Sequence, residues 1–131
     1  MLKKDSFGVL VIEDEPLVLK YIASLLTGLG YAKVFKAKTA QEAQALLLTE
    51  SISIIISDVS LPDGDGREIV SSALQNHTAR AAILVSGFHR GELEVPTLRE
   101  RVELLQQPFS AGDLAAALKA VSKAGVSEMS L

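Results

Sequence analysis

Ile52-Ser53-Ile54-Ile55-Ile56-Ser57-Asp58 is the stretch that decides the architecture of this 131-residue chain. Its β-branched run, with Ile54-Ile55-Ile56 unbroken, leaves no polar face, so it suits a parallel strand covered on both sides. An acid closes it at Asp58, and Gly64 and Gly66 mark a loop before the next helical pattern. Toward the N-terminus, Val9-Leu10-Val11-Ile12 reads as a second buried strand and Ala32 to Lys36 as a weaker one. Toward the C-terminus, Ala81 to Val85 and Val102 to Leu105 supply a fourth and a short fifth.

Helical patterns fill the intervals. Pro16 sits where a first helical turn tolerates proline, Val18, Ile22, Leu25, Leu26 and Leu29 recur at helical spacing, and Gly30 closes the element. Thr39 with Glu42 three residues on has the capping-box pattern and opens a helix to about Glu50. Arg67 to Gln75 carries Ile69, Val70, Ala73 and Leu74 inward. Ser110 and Asp113 open a last helix with the stripe Leu114, Ala117, Leu118 and Val121. Between Phe88 and Arg101 another helix is due, but Pro96 in its middle costs about 3 kcal/mol. A short, broken or mobile element is expected there. The domain organisation is a lead over 1–7, one domain over 8–121 and a flexible tail over 122–131.

Composition narrows the class. A hydrophobic fraction of 48% and a charged fraction of 22% belong to a globular protein. The net charge of −3 gives no basic excess for nucleic acid or an anionic membrane. The absence of cysteine excludes disulfides, thiolate metal sites and cysteine nucleophiles. The apolar residues from Val9 to Pro16 are too few for a signal peptide or a membrane span, so a cytoplasmic protein is expected.

Five strands alternating with helices imply an α/β doubly wound parallel sheet with right-handed crossovers and helices on both faces. Ligands of such sheets bind beyond the carboxyl ends of the strands. Strand one is followed by Glu13-Asp14-Glu15, strand three by Asp58, and strand four by Ser86-Gly87. Two carboxylates about 4 Å apart repel by roughly 4 kcal/mol at an effective dielectric near 20. Such a cluster takes up a proton, stays hydrated or binds a cation, and oxygen donors suit Mg²⁺. Any one of these acids alone reads as an ordinary loop or cap residue; together, at successive strand ends, they are a signal.

Val9-Leu10-Val11-Ile12-Glu13-Asp14-Glu15-Pro16 and Asp58-Val59-Ser60-Leu61-Pro62-Asp63-Gly64-Asp65-Gly66 resemble the two signature stretches of response-regulator receiver domains. Ile83-Leu84-Val85-Ser86-Gly87 and Gln107-Pro108-Phe109 fall where that family's third and fourth signatures belong. The resemblance covers roughly residues 8 to 121. It implies a flavodoxin-like sheet of order 2-1-3-4-5. It also implies that Asp58 accepts a phosphoryl group from a histidine kinase or a phosphotransfer protein. By the same resemblance Asp14 holds Mg²⁺ directly, Glu13 holds it through water, and the Ser60 carbonyl adds a backbone ligand beside Asp58. Ser86 would hydrogen-bond the phosphoryl oxygen and move toward it, while Pro62 and Gly66 shape the loop. The Pro96 region, strand five and the final helix would face an unknown downstream protein. The expected role is that of a phosphoacceptor, not an enzyme with turnover.

The sequence departs from the family at two positions. Gln107 stands where receivers usually have lysine, and losing a charge-assisted bond to an anion is worth about 1.5–3 kcal/mol. Leu104 stands at the usual aromatic switch position; with the Leu-Leu-Gln-x-Pro-Phe-Ser stretch, this is similar to receivers attached to hybrid histidine kinases. The Gln107–Pro108 bond is a candidate for cis. An alternative reading is a pseudo-receiver, an interaction module not regulated by phosphorylation. A phosphatase of the haloacid dehalogenase type needs a second aspartate two residues after its nucleophile, and Ser60 occupies that place. His77 and His89 read as lone surface histidines, and Arg67, Arg90, Arg99 and Arg101 as solvated cations. Phe88 and Phe109 are expected to pack near the site and gate access to it.

Overall fold

The computed structural model describes residues 8–87 and 101–129, with side chains through Val121. The expectations for the 1–7 lead, Phe88, His89, Arg90, the Pro96 segment and Arg99 lie outside the described residues.

In chain order the elements are β1 (Gly8–Ile12), α1 (Pro16–Gly28), β2 (Lys33–Ala37), α2 (Ala40–Thr49), β3 (Ile52–Asp58), β4 (Ser60–Leu61), β5 (Gly64–Asp65), α3 (Gly66–Gln75), β6 (Ala81–Ser86), β7 (Val102–Gln106) and α4 (Ala111–Met129). The five main strands pair in the order β2-β1-β3-β6-β7, all parallel. Counting only these strands, this is 2-1-3-4-5. The order reverses between β1 and β3, whose following helices α1 and α3 pack on opposite faces of the sheet, and that is where a crevice opens at the carboxyl ends.

Strand alternation builds two cores. Val9, Val11, Ile54, Ile56, Ile83 and Val85 face the layer of α1 and α4, joined by Ile22, Leu26, Leu114 and Leu118. Leu10, Ile12, Ile55, Ala82 and Leu84 face the layer of α2 and α3, joined by Ala43, Ile69, Val70 and Leu74. Both sides of β3 are therefore covered, which is why its isoleucines need no polar alternation. Burying each large aliphatic side chain contributes roughly 1.5–3 kcal/mol. The edge strand β2 differs: Lys33 and Lys36 are exposed, and edge lysines discourage pairing with another chain.

Local chemistry ends the helices where the residue pattern says. At the end of α1, Gly30 adopts φ 100°, and the amides of Gly30 and Tyr31 bond the carbonyls of Thr27 and Leu26. At the end of α3, His77 takes φ 59°, and the amides of His77 and Thr78 return to Leu74 and Ala73. Both are the paired bonds of a Schellman ending, so His77 terminates a helix. In α4 the Ser110 hydroxyl accepts from the Asp113 amide at 3.1 Å while Asp113 accepts from the Ser110 amide at 2.9 Å.

Three expectations are corrected. The backbone of α4 stays helical to Met129, beyond the Ser122 boundary where a frayed tail was expected; no proline interrupts this stretch and its lysine, alanine, glutamate and methionine favour helix. The segment after Asp58 is not a plain loop but a small antiparallel ribbon, β4 with β5, turning at Pro62-Asp63. Arg101 is not a solvated cation: it is 6% exposed, and its guanidinium donates to the carbonyls of Arg80 and Leu74, each at 3.4 Å. One carbonyl lies near the end of α3 and the other just before β6, so the arginine is drawn inside as a connector.

Candidate functional site

Glu13 and Asp14 leave the end of β1, and Asp58 ends the neighbouring β3. The parallel pairing of Ile12 with Ser57 puts these ends side by side. One carboxylate oxygen from each of Glu13, Asp14 and Asp58 lies within 4.8 Å of the others. Glu13 is buried, Asp14 exposed and Asp58 half-buried, so the cluster is open to solvent on one side. The Glu13 carboxylate is held from below by the Glu15 amide at 3.0 Å. The Asp58 carboxylate accepts a long bond of 3.4 Å from the Ser60 amide.

Crowding shows in the protonation equilibria. Burial, reinforced by the negative charge of Asp58, pushes Glu13 from 4.5 up to about 7, against the pull of the Glu15 amide. Burial also raises Asp58, assisted by the charge of Asp14 and opposed by the Ser60 amide. Three carboxylates this close favour either a shared proton or a cation. Their donor set is oxygen alone and one side is open to water, which fits Mg²⁺.

The other expected site residues arrive by strand pairing. Ser86 is the last residue of β6, is 3% exposed, and pairs with Gln106 of β7. Because Asp58 pairs with Val85, Ser86 lies one residue further toward the same sheet end. The Gln107 amide donates to the Ser86 carbonyl at 2.8 Å, and the Gln107–Pro108 bond is cis, as expected. Gln107 therefore sits at the same end, half-buried. Ser60 is exposed in β4 and touches Asp58 through its amide. Leu104 packs at the edge of the α2–α3 core. Phe109 packs against Tyr21 of α1, ring centroids 6.0 Å apart, and its carbonyl accepts from the Tyr21 hydroxyl; its contacts are with α1 and the core beneath it.

The loop after Asp58 is pinned at both ends. The Gly66 amide donates to the Val59 carbonyl at 2.8 Å. A Cβ at Gly66 would collide with the Asp58 carbonyl and lie 2.5 Å from the Ser57 hydroxyl, which itself donates to that carbonyl at 2.8 Å. Only glycine allows this approach. The expected shaping role of Gly66 is thus a steric one.

Asp63 was missed by sequence reasoning. Its carboxylate accepts from the Ala40 and Gln41 amides of α2 at 2.7 and 3.0 Å, while Thr39 takes the Glu42 amide. The first three amides of α2 are therefore satisfied, two of them by the Asp58 loop. Only a loop marked by Gly64 and Gly66 was visible beforehand. Similarly, Asp65 caps α3 through the Arg67 amide and pairs with the Arg67 guanidinium at 2.7 Å.

Residues 9–119 match the model of the response regulator receiver domain. The chain belongs to that family. It is 32% identical over 113 residues to the KDP operon transcriptional regulatory protein KdpE of Escherichia coli (strain K12), covering 86% of this chain and 49% of that protein. It is 32% identical over 116 residues to the transcriptional regulatory protein PdtaR of Mycobacterium tuberculosis, covering 88% of this chain and 57% of PdtaR. The chain thus spans about half the length of these curated relatives. Among solved structures it resembles a CheY-like receiver domain protein of Methanospirillum hungatei JF-1, with 25% identity and a TM-score of 0.80 over 93% of this chain and 98% of that one. As a receiver domain it is a module of two-component signalling. Among the described residues no helix is long and apolar enough to cross a membrane.

Proposed function

We propose that Asp58 accepts a phosphoryl group from the phosphohistidine of a histidine kinase or a phosphotransfer protein. The observation that carries this reading is the meeting of Glu13, Asp14 and Asp58 within 4.8 Å at one sheet end. In the transfer an Asp58 carboxylate oxygen attacks phosphorus, the phosphorus–nitrogen bond breaks, and the imidazole leaves with the bond's electrons and takes up a proton. Asp58 must be ionised to attack.

Glu13 and Asp14, with Asp58 and the Ser60 carbonyl, would hold Mg²⁺. When bound, the ion withdraws charge from the phosphoryl oxygens and offsets the repulsion among the carboxylates. The chain's own part is mainly positioning. Gly66 and the Ser57 hydroxyl fix the backbone of Asp58. The Glu15 amide orients Glu13. Ser86, at the adjoining strand end, supplies a hydroxyl for the phosphoryl group, and Gln107 can donate only a neutral hydrogen bond where the family usually has a cation. Weaker stabilisation of the acyl phosphate, by about 1.5–3 kcal/mol, follows from that exchange.

The module acts as a stoichiometric acceptor in the cytoplasm, passing its state to a downstream protein by contact, with no turnover of its own beyond self-catalysed gain and loss of the phosphoryl group. The test is incubation with acetyl phosphate, phosphoramidate and Mg²⁺, read by intact mass and by amide NMR with beryllofluoride. A single phosphoryl adduct that Asp58→Asn abolishes, with shifts at Asp14, Asp58 and Ser86, supports the reading. An unmodified Asp58 under all donors, kinases included, leaves a receiver fold controlled by partner binding alone.

A further inference from the structure

A cleft of about 600 Å³ runs between α2 and α3, within the roughly 300–1,000 Å³ range of ligand sites. It lies apart from the Glu13, Asp14 and Asp58 carboxylates, although the turn after Asp58 closes one end. Both helices follow parallel strands of one sheet on the same face, so they run in the same direction and the cleft has two chemically different ends. Where the helices begin, it is walled by Asp63, Asp65 and Glu68; further along, by Leu47, Leu48 and Ala73, with Asn76 and Thr78 past the end of α3. Leu48 is 87% exposed, the most exposed of the described large apolar side chains.

Among the described residues no lysine or arginine lines the cleft. Arg67 neutralises Asp65 from outside, leaving an excess of negative charge at that end. Asp63 stays ionised because the Ala40 and Gln41 amides hold it below the usual carboxylate range. From the first to the last turn of α2 the two ends are about 12 Å apart at 1.5 Å per residue. An occupant must therefore offer a cation and a bulky apolar group on one side at that separation. Two turns of an amphipathic helix do so, and burying one leucine-sized side chain on Leu48 is worth more than an exposed ion pair.

We propose that the α2–α3 cleft docks a cationic amphipathic segment of a partner protein, its lysine or arginine at the Asp63–Glu68 end and its apolar side chain against Leu48. This docking requires no phosphotransfer at Asp58.

The test is a titration of the full ¹⁵N-labelled chain with an amphipathic leucine–lysine peptide of about ten residues, roughly 15 Å long as a helix. A leucine–glutamate peptide of the same pattern is the control. Shifts should group on the amides of α2 and α3, be absent with the glutamate peptide, and weaken at least about fivefold in Kd for Leu48→Ser and for Glu68→Lys. Both positions are exposed, so both variants fold, and phosphorylation of Asp58 by acetyl phosphate should be unchanged in them. Shifts centred on Glu13, Asp14 and Asp58 would overturn the proposal, as would unchanged affinity in both variants. Self-association that Leu48→Ser abolishes would overturn it in favour of a second copy covering this face.

Discussion

Replacing Asp58 by asparagine removes one charge from a cluster whose carboxylate oxygens lie within 4.8 Å, and it should stabilise the metal-free protein. At that separation each like-charge pair costs about 3.5 kcal/mol at an effective dielectric of 20 and about 0.9 kcal/mol in water. Asp14 is exposed and Asp58 half-buried, so the lower part of this range applies. Loss of the Ser60 amide bond subtracts a little. The net gain should be about 1–2 kcal/mol, or roughly 4 °C or more in Tm. The pH dependence follows from Glu13, whose native pKa of about 7 lies above its ordinary 4.5. Between those values the native state holds the extra proton, so the stability this group contributes is full below 4.5 and is lost as pH rises through about 7. The gain from Asp58→Asn should accordingly be largest near pH 8, where Glu13 is charged, and should shrink near pH 5. Urea unfolding in EDTA at the two pH values measures it. Saturating Mg²⁺ should then stabilise the native protein more than the variant, because a ligand of the folded state adds RT ln(1 + [L]/Kd). A variant less stable than the native protein at high pH without metal, or a gain equal at both pH values, would refute the argument.

Gly66→Ala forces a Cβ into the Asp58 carbonyl and the Ser57 hydroxyl; about 2–3 kcal/mol of destabilisation is expected in urea melts, and a loss under about 0.5 kcal/mol would show that the loop yields freely. Asp63→Ala should speed hydrogen exchange at the Ala40 and Gln41 amides, which its carboxylate now holds. Because the Asp63 pKa lies below its ordinary 3.8, that protection is present above 3.8 and lost as pH falls through the native value, so native and variant should converge in acid. Arg101→Ala removes the guanidinium from the Arg80 and Leu74 carbonyls it bonds, of which Leu74 keeps the His77 amide; about 1–2 kcal/mol should be lost, whereas a solvated arginine would cost nothing measurable. Gln107→Lys should lengthen the lifetime of beryllofluoride or phosphoryl adducts about tenfold or more, the worth of a charge-assisted bond, and an unchanged lifetime would mean that no cation is needed there.

The strands and helix ends were legible in the residues because each rests on neighbours close in the chain. Ile54-Ile55-Ile56 and Val9 to Ile12 announce burial by composition alone, and Thr39 with Glu42, Gly30, and Ser110 with Asp113 announce the helix ends by local hydrogen bonding. The acid cluster was half legible. That Glu13, Asp14 and Asp58 follow strands is in the sequence, and a doubly wound sheet sends strand ends to one side, but their separation depends on β1 pairing with β3. What tertiary structure alone decided is whatever joins residues distant in the chain through small spaces: Asp63 on the α2 amides, Gly66 against the Asp58 carbonyl, Arg101 drawn inside to two carbonyls, and the raised Glu13 pKa. A turn aspartate and a lone arginine look the same whether solvated or engaged. Only the packed chain determines which amide or carbonyl stands within 3.5 Å of them, and the cost of leaving a buried charge or carbonyl unpaired then makes that arrangement persist.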